Sequence, residues 1–383
     1  MSDLGIGIIG CGNISAAYLS LAPLFKGIEM RAVADLNMDA ANARAAEFGV
    51  RAHTVEDLLT ANDIDIIVNL TIPAAHFEVS MRCLNAGKHV YSEKPFVLSL
   101  EEGAEIKKLA DAKGLRVGSA PDTFLGGSHQ QARQMIDNGD LGTITSGIAF
   151  VMSHGMEHWH PNPDFFFQPG AGPVLDVGPY YVTNLIQLIG PVARVAAVTT
   201  TPMLKRTIQS EPRKGEEIPV ETPSTIHAIL QFVSGATITM CTSWDVWGGH
   251  SHTPMELYGS KGSLYLPDPN FFAGELKLGR QNQDAATVTP WSHPFNVLNH
   301  GEGDDAQANY RASGLSDMAI AIKEGRPHRC SLELALHAVE VMSGILKSGE
   351  TGAFVDMTTT CERPAPLDAQ GAADLLAKVA EPA

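Results

Sequence analysis

The run Gly10-Cys11-Gly12-Asn13-Ile14-Ser15 follows a short apolar stretch, Gly5–Ile9, and leads into a helix-period segment. In that setting Gly10 permits a tight turn, Gly12 lets backbone approach an anion, and the small Ser15 lets helix and strand pack closely. The N–H groups at the start of the helix then form a site for a pyrophosphate. Serine stands where the fingerprint usually has a third glycine. Asp35 ends the next apolar run, about 20 residues on, where a carboxylate accepts hydrogen bonds from the ribose hydroxyls of adenosine. The same carboxylate repels a 2′-phosphate, and no Arg or Lys follows in Leu36-Asn37-Met38. The pattern therefore favours NAD over NADP. The plainer alternatives are a turn that binds nothing and an aspartate that only shapes a loop.

A second grouping is His154, His158 and His160, with Glu157 and Trp159 between them. His-x-His or His-x-x-x-His can ligate zinc on a rigid element, but no cysteine joins them and the segment reads as loop. We expect no metal here. The wall of a substrate pocket is the better reading, with Trp159 offering an apolar ring face of the kind that packs on sugar C–H surfaces.

The elements that must position these groups follow from periodicity. From Leu4 to about Ala120, apolar runs at Gly5–Ile9, Met30–Asp35, Ile64–Leu70, His89–Ser92 and Arg116–Ser119 alternate with helix-period segments such as Asp39–Phe48 and Ala75–Ala86. Gly49 and Gly87 read as helix stops, and Ser99-x-x-Glu102 as a capping box opening a helix that ends before Gly114. This is a βαβ series, predicting an α/β Rossmann domain with a doubly wound parallel sheet over residues 1–122. Residues 123–383 are expected to form a second, α+β domain with a mainly antiparallel sheet. Hairpins are predicted at Thr225–Phe232 with Thr237–Thr242 and at Met255–Tyr258 with Ser263–Leu266. One helix opens this part, Ser128–Asn138, and two close it, near Leu315–Lys323 and Leu332–Lys347; Asn282–Asp305 reads as a long loop and the tail from Asp368 as loosely packed.

The 383 residues suit two domains, and 44% hydrophobic with 18% charged residues suits a large buried core. A net charge of −16 opposes nucleic acid and anionic membrane as partners and leaves small molecules open. Five scattered cysteines, no basic leader and no long apolar run point to a reducing compartment, the cytoplasm.

Thr71-Ile72-Pro73-x-x-His76 and Gly87-Lys88-His89-Val90-Tyr91-Ser92-Glu93-Lys94-Pro95 resemble the Gfo/Idh/MocA oxidoreductase family. The resemblance resumes at Gly170-Ala171-Gly172-Pro173-Val174-Leu175-Asp176-Val177-Gly178-Pro179-Tyr180, at Glu256–Gly262 and at Lys323–Pro327. It implies an open-faced second sheet that pairs subunits into a homodimer or homotetramer. It also implies NAD(P)-linked transfer of hydride to or from a sugar, cyclitol or related polyol. Lys94, Asp176 and Tyr180 take the family's catalytic positions, with Tyr180 where many members have His. Cofactor contacts are implied for Gly10, Gly12, Asn13, Ile14, Asp35, Thr71, Pro73, His76, Glu93 and Lys94. Substrate contacts fall to Asp122, His158, Trp159, His160, Asp176 and Tyr180. Oxidation needs a base near working pH, and burial beside a positive nicotinamide is expected to lower the Lys94 pKa. Two alternatives stay open: a glycosidase using transient oxidation of its sugar, and a non-catalytic dinucleotide sensor.

Overall fold

Near-continuous apolar runs make strands that are buried on both faces, as a parallel sheet between helices requires. In the computed structural model, which describes residues 3–377, the first sheet is built from β1 (Leu4–Ile9), β2 (Ile28–Ala34), β3 (Arg51–His53), β4 (Ile66–Asn69), β5 (His89–Ser92) and β6 (Val117–Ser119). Between them run α1 (Asn13–Leu21), α2 (Met38–Phe48), α3 (Val55–Thr60), α4 (His76–Asn85) and α5 (Leu100–Lys113). All pairs are parallel, in the order β3-β2-β1-β4-β5-β6. The order reverses between β1 and β4, so the carboxyl ends of those strands open a crevice, where ligands of such sheets bind. Helix limits follow the local chemistry. The Ser99 hydroxyl accepts the Glu102 N–H at 3.2 Å, while the Glu102 carboxylate reaches Leu98 N at 3.1 Å, and Gly49 and Gly114 close their helices at φ 69° and 65°.

A short strand and the tail differ from the sequence reading. β3 was not anticipated, because Arg51-Ala52-His53 is a three-residue edge strand without an apolar run. The tail from Asp368 is not loose where it is described: Asp368 caps a helix at Ala369–Leu375, whose Ala372 and Leu375 are buried, and Leu376 bridges to Phe25.

The second sheet has nine strands: β7 (Ile144–Met152), β8 (Val192–Thr200), β11 (Thr225–Phe232), β12 (Thr237–Ser243), β13 (Met255–Gly259), β14 (Gly262–Leu266), β15 (Lys277–Arg280), β16 (Ala286–Thr287) and β17 (Val355–Asp356). β9 (Lys205–Thr207) and β10 (Glu217–Pro219) form a separate ribbon. The order is β16-β15-β14-β13-β7-β12-β11-β8-β17, antiparallel except for the β7–β12 pair. Both predicted hairpins form, and the expected long loop at Asn282–Asp305 holds only β16 and two short 3₁₀ turns.

The helices of this part are α6 (Gly127–Asp137), α7 (Pro173–Asp176), α8 (Gly178–Ile189), α9 (Ser313–Glu324), α10 (Leu332–Thr351) and α11 (Ala369–Leu375). α10 packs on β8 and α8 but also on α5 and β6, and α9 packs on β2 and β6. The late helices therefore clamp both sheets rather than closing only the second. The other face of the nine-stranded sheet leaves Val198 and Ile229 exposed. Among the described residues, no helix is long and apolar enough to cross a membrane.

Candidate active site

The turn after β1 is wedged between the ends of β2 and β4. Gly10 N donates to Ala34 O at 2.9 Å, its φ is 104°, and a Cβ there would fall 2.6 Å from Leu70 O. Only glycine fits. Two residues on, a Cβ at Gly12 would meet nothing within 4 Å, and no side chain caps the nine-residue helix α1 behind it. Uncapped N–H groups facing open space suit a pyrophosphate. Ser15 is buried, its hydroxyl donating to Gly12 O at 2.6 Å. Asn13 is exposed and Ile14 half-buried at the start of α1.

Asp35 sits just past β2. Its two carboxylate oxygens accept Cys11 N and Asn37 N, each at 2.8 Å, which aims a partly exposed carboxylate at the phosphate turn. Leu36 beside it is 94% exposed.

Buried Asn69, which the sequence reading did not single out, organises the loop after β4. Its Oδ1 accepts the Thr71 hydroxyl at 2.7 Å, and its amide donates to His76 O at 3.1 Å and to Ser80 Oγ at 3.2 Å. The buried His76 ring spans Pro95 O at 2.7 Å and Thr71 O at 3.0 Å. It is a strut between two loops, remote from any open surface, and burial lowers its pKa even against the two carbonyls. Pro73 opens the short turn before α4.

Past β5, Glu93 is buried among Tyr18, Arg311 and the Lys94 backbone: Tyr18 Oη donates at 3.0 Å, Arg311 Nη1 at 2.8 Å and Lys94 N at 3.0 Å. The Lys94 side chain crosses to the second part of the chain. Its Nζ donates to Asp176 O at 2.8 Å and Asp176 Oδ1 at 3.0 Å, and lies 5.3 Å from the Tyr180 ring centre. Asp176 ends α7 and Tyr180 stands in the first turn of α8. A cap on α8 was the alternative role for Asp176, yet that helix has no side-chain cap and the carboxylate is on Lys94. The Tyr180 hydroxyl has no hydrogen bond among the described residues.

Charge decides what Lys94 can do. Burial opposes its ammonium, but Tyr180, Asp176 and Glu93 outweigh that cost and hold its pKa above the ordinary lysine range. Burial by itself therefore does not lower the Lys94 pKa, since it arrives together with three acidic neighbours. Lys94 is a standing cation.

A family model described as the oxidoreductase family with NAD-binding Rossmann fold matches residues 4–120, and the GFO/IDH/MocA C-terminal domain matches residues 129–265. The chain belongs to the Gfo/Idh/MocA family. Its Rossmann domain is thus an NAD(P)-binding one. An oxidoreductase of Schizosaccharomyces pombe is 33% identical over 40% of this chain, which spans only 42% of that relative's length. The D-xylose 1-dehydrogenase (NADP(+)) of Haloferax volcanii is 24% identical over 92% of this chain and 99% of its own. The solved structure of levoglucosan dehydrogenase in complex with NADH and levoglucosan shares the fold, with a TM-score of 0.79 at 21% identity, covering 94% of this chain and 100% of that one.

Two of the expected substrate groups make no hydrogen bond to Lys94, Asp176 or Tyr180 among the described residues. Asp122 is buried, and its carboxylate accepts Gly314 N at 3.1 Å and Ser313 Oγ at 3.3 Å at the start of α9. Burial, only partly offset by Arg311, raises its pKa. The histidine loop is held by a buried ion network in which Arg206 donates to Glu157 at 2.9 Å and also binds Asp245. His154 stacks on Trp247, and His160 meets Trp159, Phe165 and Phe166 edge-on. His158 and Trp159 are exposed. No hydrogen bond or ring contact among the described residues joins this cluster to Lys94, Asp176 or Tyr180, and none of the described His, Cys, Asp and Glu side chains form a group of three able to hold a metal ion. Arg311 and Tyr18 lie in no motif and meet Glu93 only across 218 and 75 residues, while Asn69 is local to the Thr71–His76 motif and reads from sequence as an ordinary strand end.

Proposed function

We propose that the chain moves hydride between NAD, in preference to NADP, and a CH–OH carbon of a sugar, cyclitol or related polyol, or the corresponding keto-sugar. One observation carries this reading. The Lys94 ammonium spends two contacts on Asp176, and its third N–H is left for a substrate oxygen at the carboxyl edge of the sheet. The names of similar proteins, among them D-xylose 1-dehydrogenase and levoglucosan dehydrogenase, support a carbohydrate substrate.

Gly10, Gly12, Asn13 and Ile14 hold the pyrophosphate, and Asp35 holds the adenosine ribose and disfavours a 2′-phosphate. Thr71, Pro73 and Glu93 border the nicotinamide end, with His76 bracing that edge from behind. When bound, the nicotinamide supplies the hydride acceptor or donor. Because Lys94 stays charged, it polarises the substrate oxygen and does not remove its proton. That proton passes to Tyr180, whose ring lies beside the ammonium. Asp176 aims the ammonium and binds a neighbouring hydroxyl. Trp159, 56% exposed, offers a ring face to the sugar, with His158 and His160 beside it. Asp122 gives one carboxylate oxygen to the start of α9 and keeps the other for a substrate hydroxyl.

We further propose a division into domains at residue 122, and a homodimer or homotetramer formed through the open face of the second sheet, where Val198 and Ile229 lack a covering layer. A cytoplasmic site fits five free, buried cysteines.

The test is a spectrophotometric panel of aldoses, cyclitols and keto-sugars with NAD and NADP. Turnover with NAD is expected. Bound cofactor with no absorbance change on any substrate would defeat simple dehydrogenation, and cleavage of nitrophenyl glycosides without net NADH would replace it with the glycosidase reading.

A further inference from the structure

We infer that Arg311 is a positioning residue for Lys94 and acts through Glu93. The inference rests on the reading that Lys94 meets the reacting oxygen, and goes one step behind it.

Arg311 lies on the segment entering α9, 218 residues from Glu93 in the chain, yet its Nη1 is 2.8 Å from Glu93 Oε1. Tyr18 Oη shares that oxygen at 3.0 Å, and the guanidinium stands 5.9 Å from the Tyr18 ring centre. The other carboxylate oxygen, Oε2, accepts the backbone N–H of Lys94 at 3.0 Å. Glu93 N is tied to Asn69 O at 2.9 Å, so the strand end is fixed from the other side as well. The peptide that carries Lys94 therefore rests on a carboxylate whose orientation depends on Arg311.

The backbone is built to bring the guanidinium there. Ala312 is fully buried in the left-handed region at φ 81°, a conformation L-residues adopt at a cost. That single turn sends Arg311 inward while Ser313 and Gly314 begin α9 and hold the buried Asp122 carboxylate. Strain of this kind persists where the surroundings over-determine a residue's place. Arg311 is the cation facing both Glu93 and Asp122; without it the buried Glu93 carboxylate loses its ion pair and is free to turn on the Tyr18 hydroxyl, taking the Lys94 peptide with it.

Steady-state kinetics on the substrate found by the panel, together with amine labelling of the chain without cofactor or substrate, provide the test. Arg311→Ala is expected to lower kcat about 100-fold by misplacing Lys94, with KM for NAD changed less than about threefold. Guanidinium at millimolar concentration should restore at least about tenfold of that loss, and should restore nothing in Lys94→Ala. In the double variant Arg311→Ala with Glu93→Gln, activity should fall no further than in Glu93→Gln alone. Acetic anhydride should modify Lys94 several-fold faster in Arg311→Ala than in the parent, because the ammonium is released from Asp176. If Arg311→Ala does not fold, Arg311→Lys replaces it, and a kcat loss of about tenfold at unchanged Tm is expected because the fork is gone. Turnover within twofold of the parent, or a loss that tracks melting without guanidinium rescue or changed labelling, overturns the inference. Failure of the underlying reading looks different: Lys94→Ala would then keep its turnover.

Discussion

Asp35 and Lys94 represent two kinds of residue, one legible from its neighbours and one only from the fold. The glycine turn and Asp35 could be read because their job is local: the strand, the turn and the next strand end all lie within 35 residues. Replacing Asp35 with Ala while making the exposed neighbour Leu36 an Arg should therefore exchange the preference. We expect kcat/KM with NAD to fall and with NADP to rise, shifting their ratio by about 100-fold, equivalent to about 3 kcal/mol. The Lys94–Asp176 contact joins residues 82 apart, and nothing in the sequence pattern announced it apart from the family resemblance. Lys94→Met and Tyr180→Phe should each lower kcat by about 10²–10⁴ while NADH binding, followed by fluorescence, stays within a few-fold. Loss of NADH binding together with activity would assign these residues to the cofactor site instead. The Lys94 charge is not legible for a physical reason: a sequence shows neither that a lysine becomes buried nor which carboxylates are buried with it.

The strands and helices read most reliably were those whose apolar period was long, such as β1, α5 and the β11–β12 hairpin. Short pieces held by tertiary contacts escaped notice. β3 exists because β2 offers a paired edge, and α11 because Ala372 and Leu375 find a surface to cover. The β1–α1 turn is the element with the least tolerance. Gly10→Ala combines a positive φ with a backbone contact at 2.6 Å, so it should cost roughly 2–4 kcal/mol in urea unfolding and abolish dinucleotide binding. Gly12→Ala, with open space around it, should leave stability unchanged within about 1 kcal/mol and weaken the dinucleotide alone. A similar loss of stability in both variants would mean that the open space at Gly12 is not a ligand's.

Across the molecule, the second part of the chain is held by two histidines that are buried in neutral form. His129 donates to Phe271 O at 2.8 Å and faces the Asn184 amide with its other nitrogen, while His293 accepts Phe295 N and reaches Leu367 O. Burial lowers both pKa values to about 4. Because the folded pKa lies below the ordinary value near 6.5, their stabilisation is complete above that value and is lost as pH falls toward about 4. Each can contribute a slope of up to about 1.4 kcal/mol per pH unit. Urea unfolding at pH 7 and pH 5 should show the drop, and His129→Gln with His293→Gln should shrink it; an unchanged difference would place the acid sensitivity elsewhere. The contact of Leu376 and Ala377 with Phe25 and Leu24 also has a consequence in time. At about 5–20 residues per second, the ribosome makes Leu24, Phe25 and β2 on the order of half a minute before α9 and α11 emerge to cover them. For that interval the oldest part of the protein waits with an unsealed apolar flank, so a nascent chain stalled before α9 should be the form that chaperones hold and proteases find.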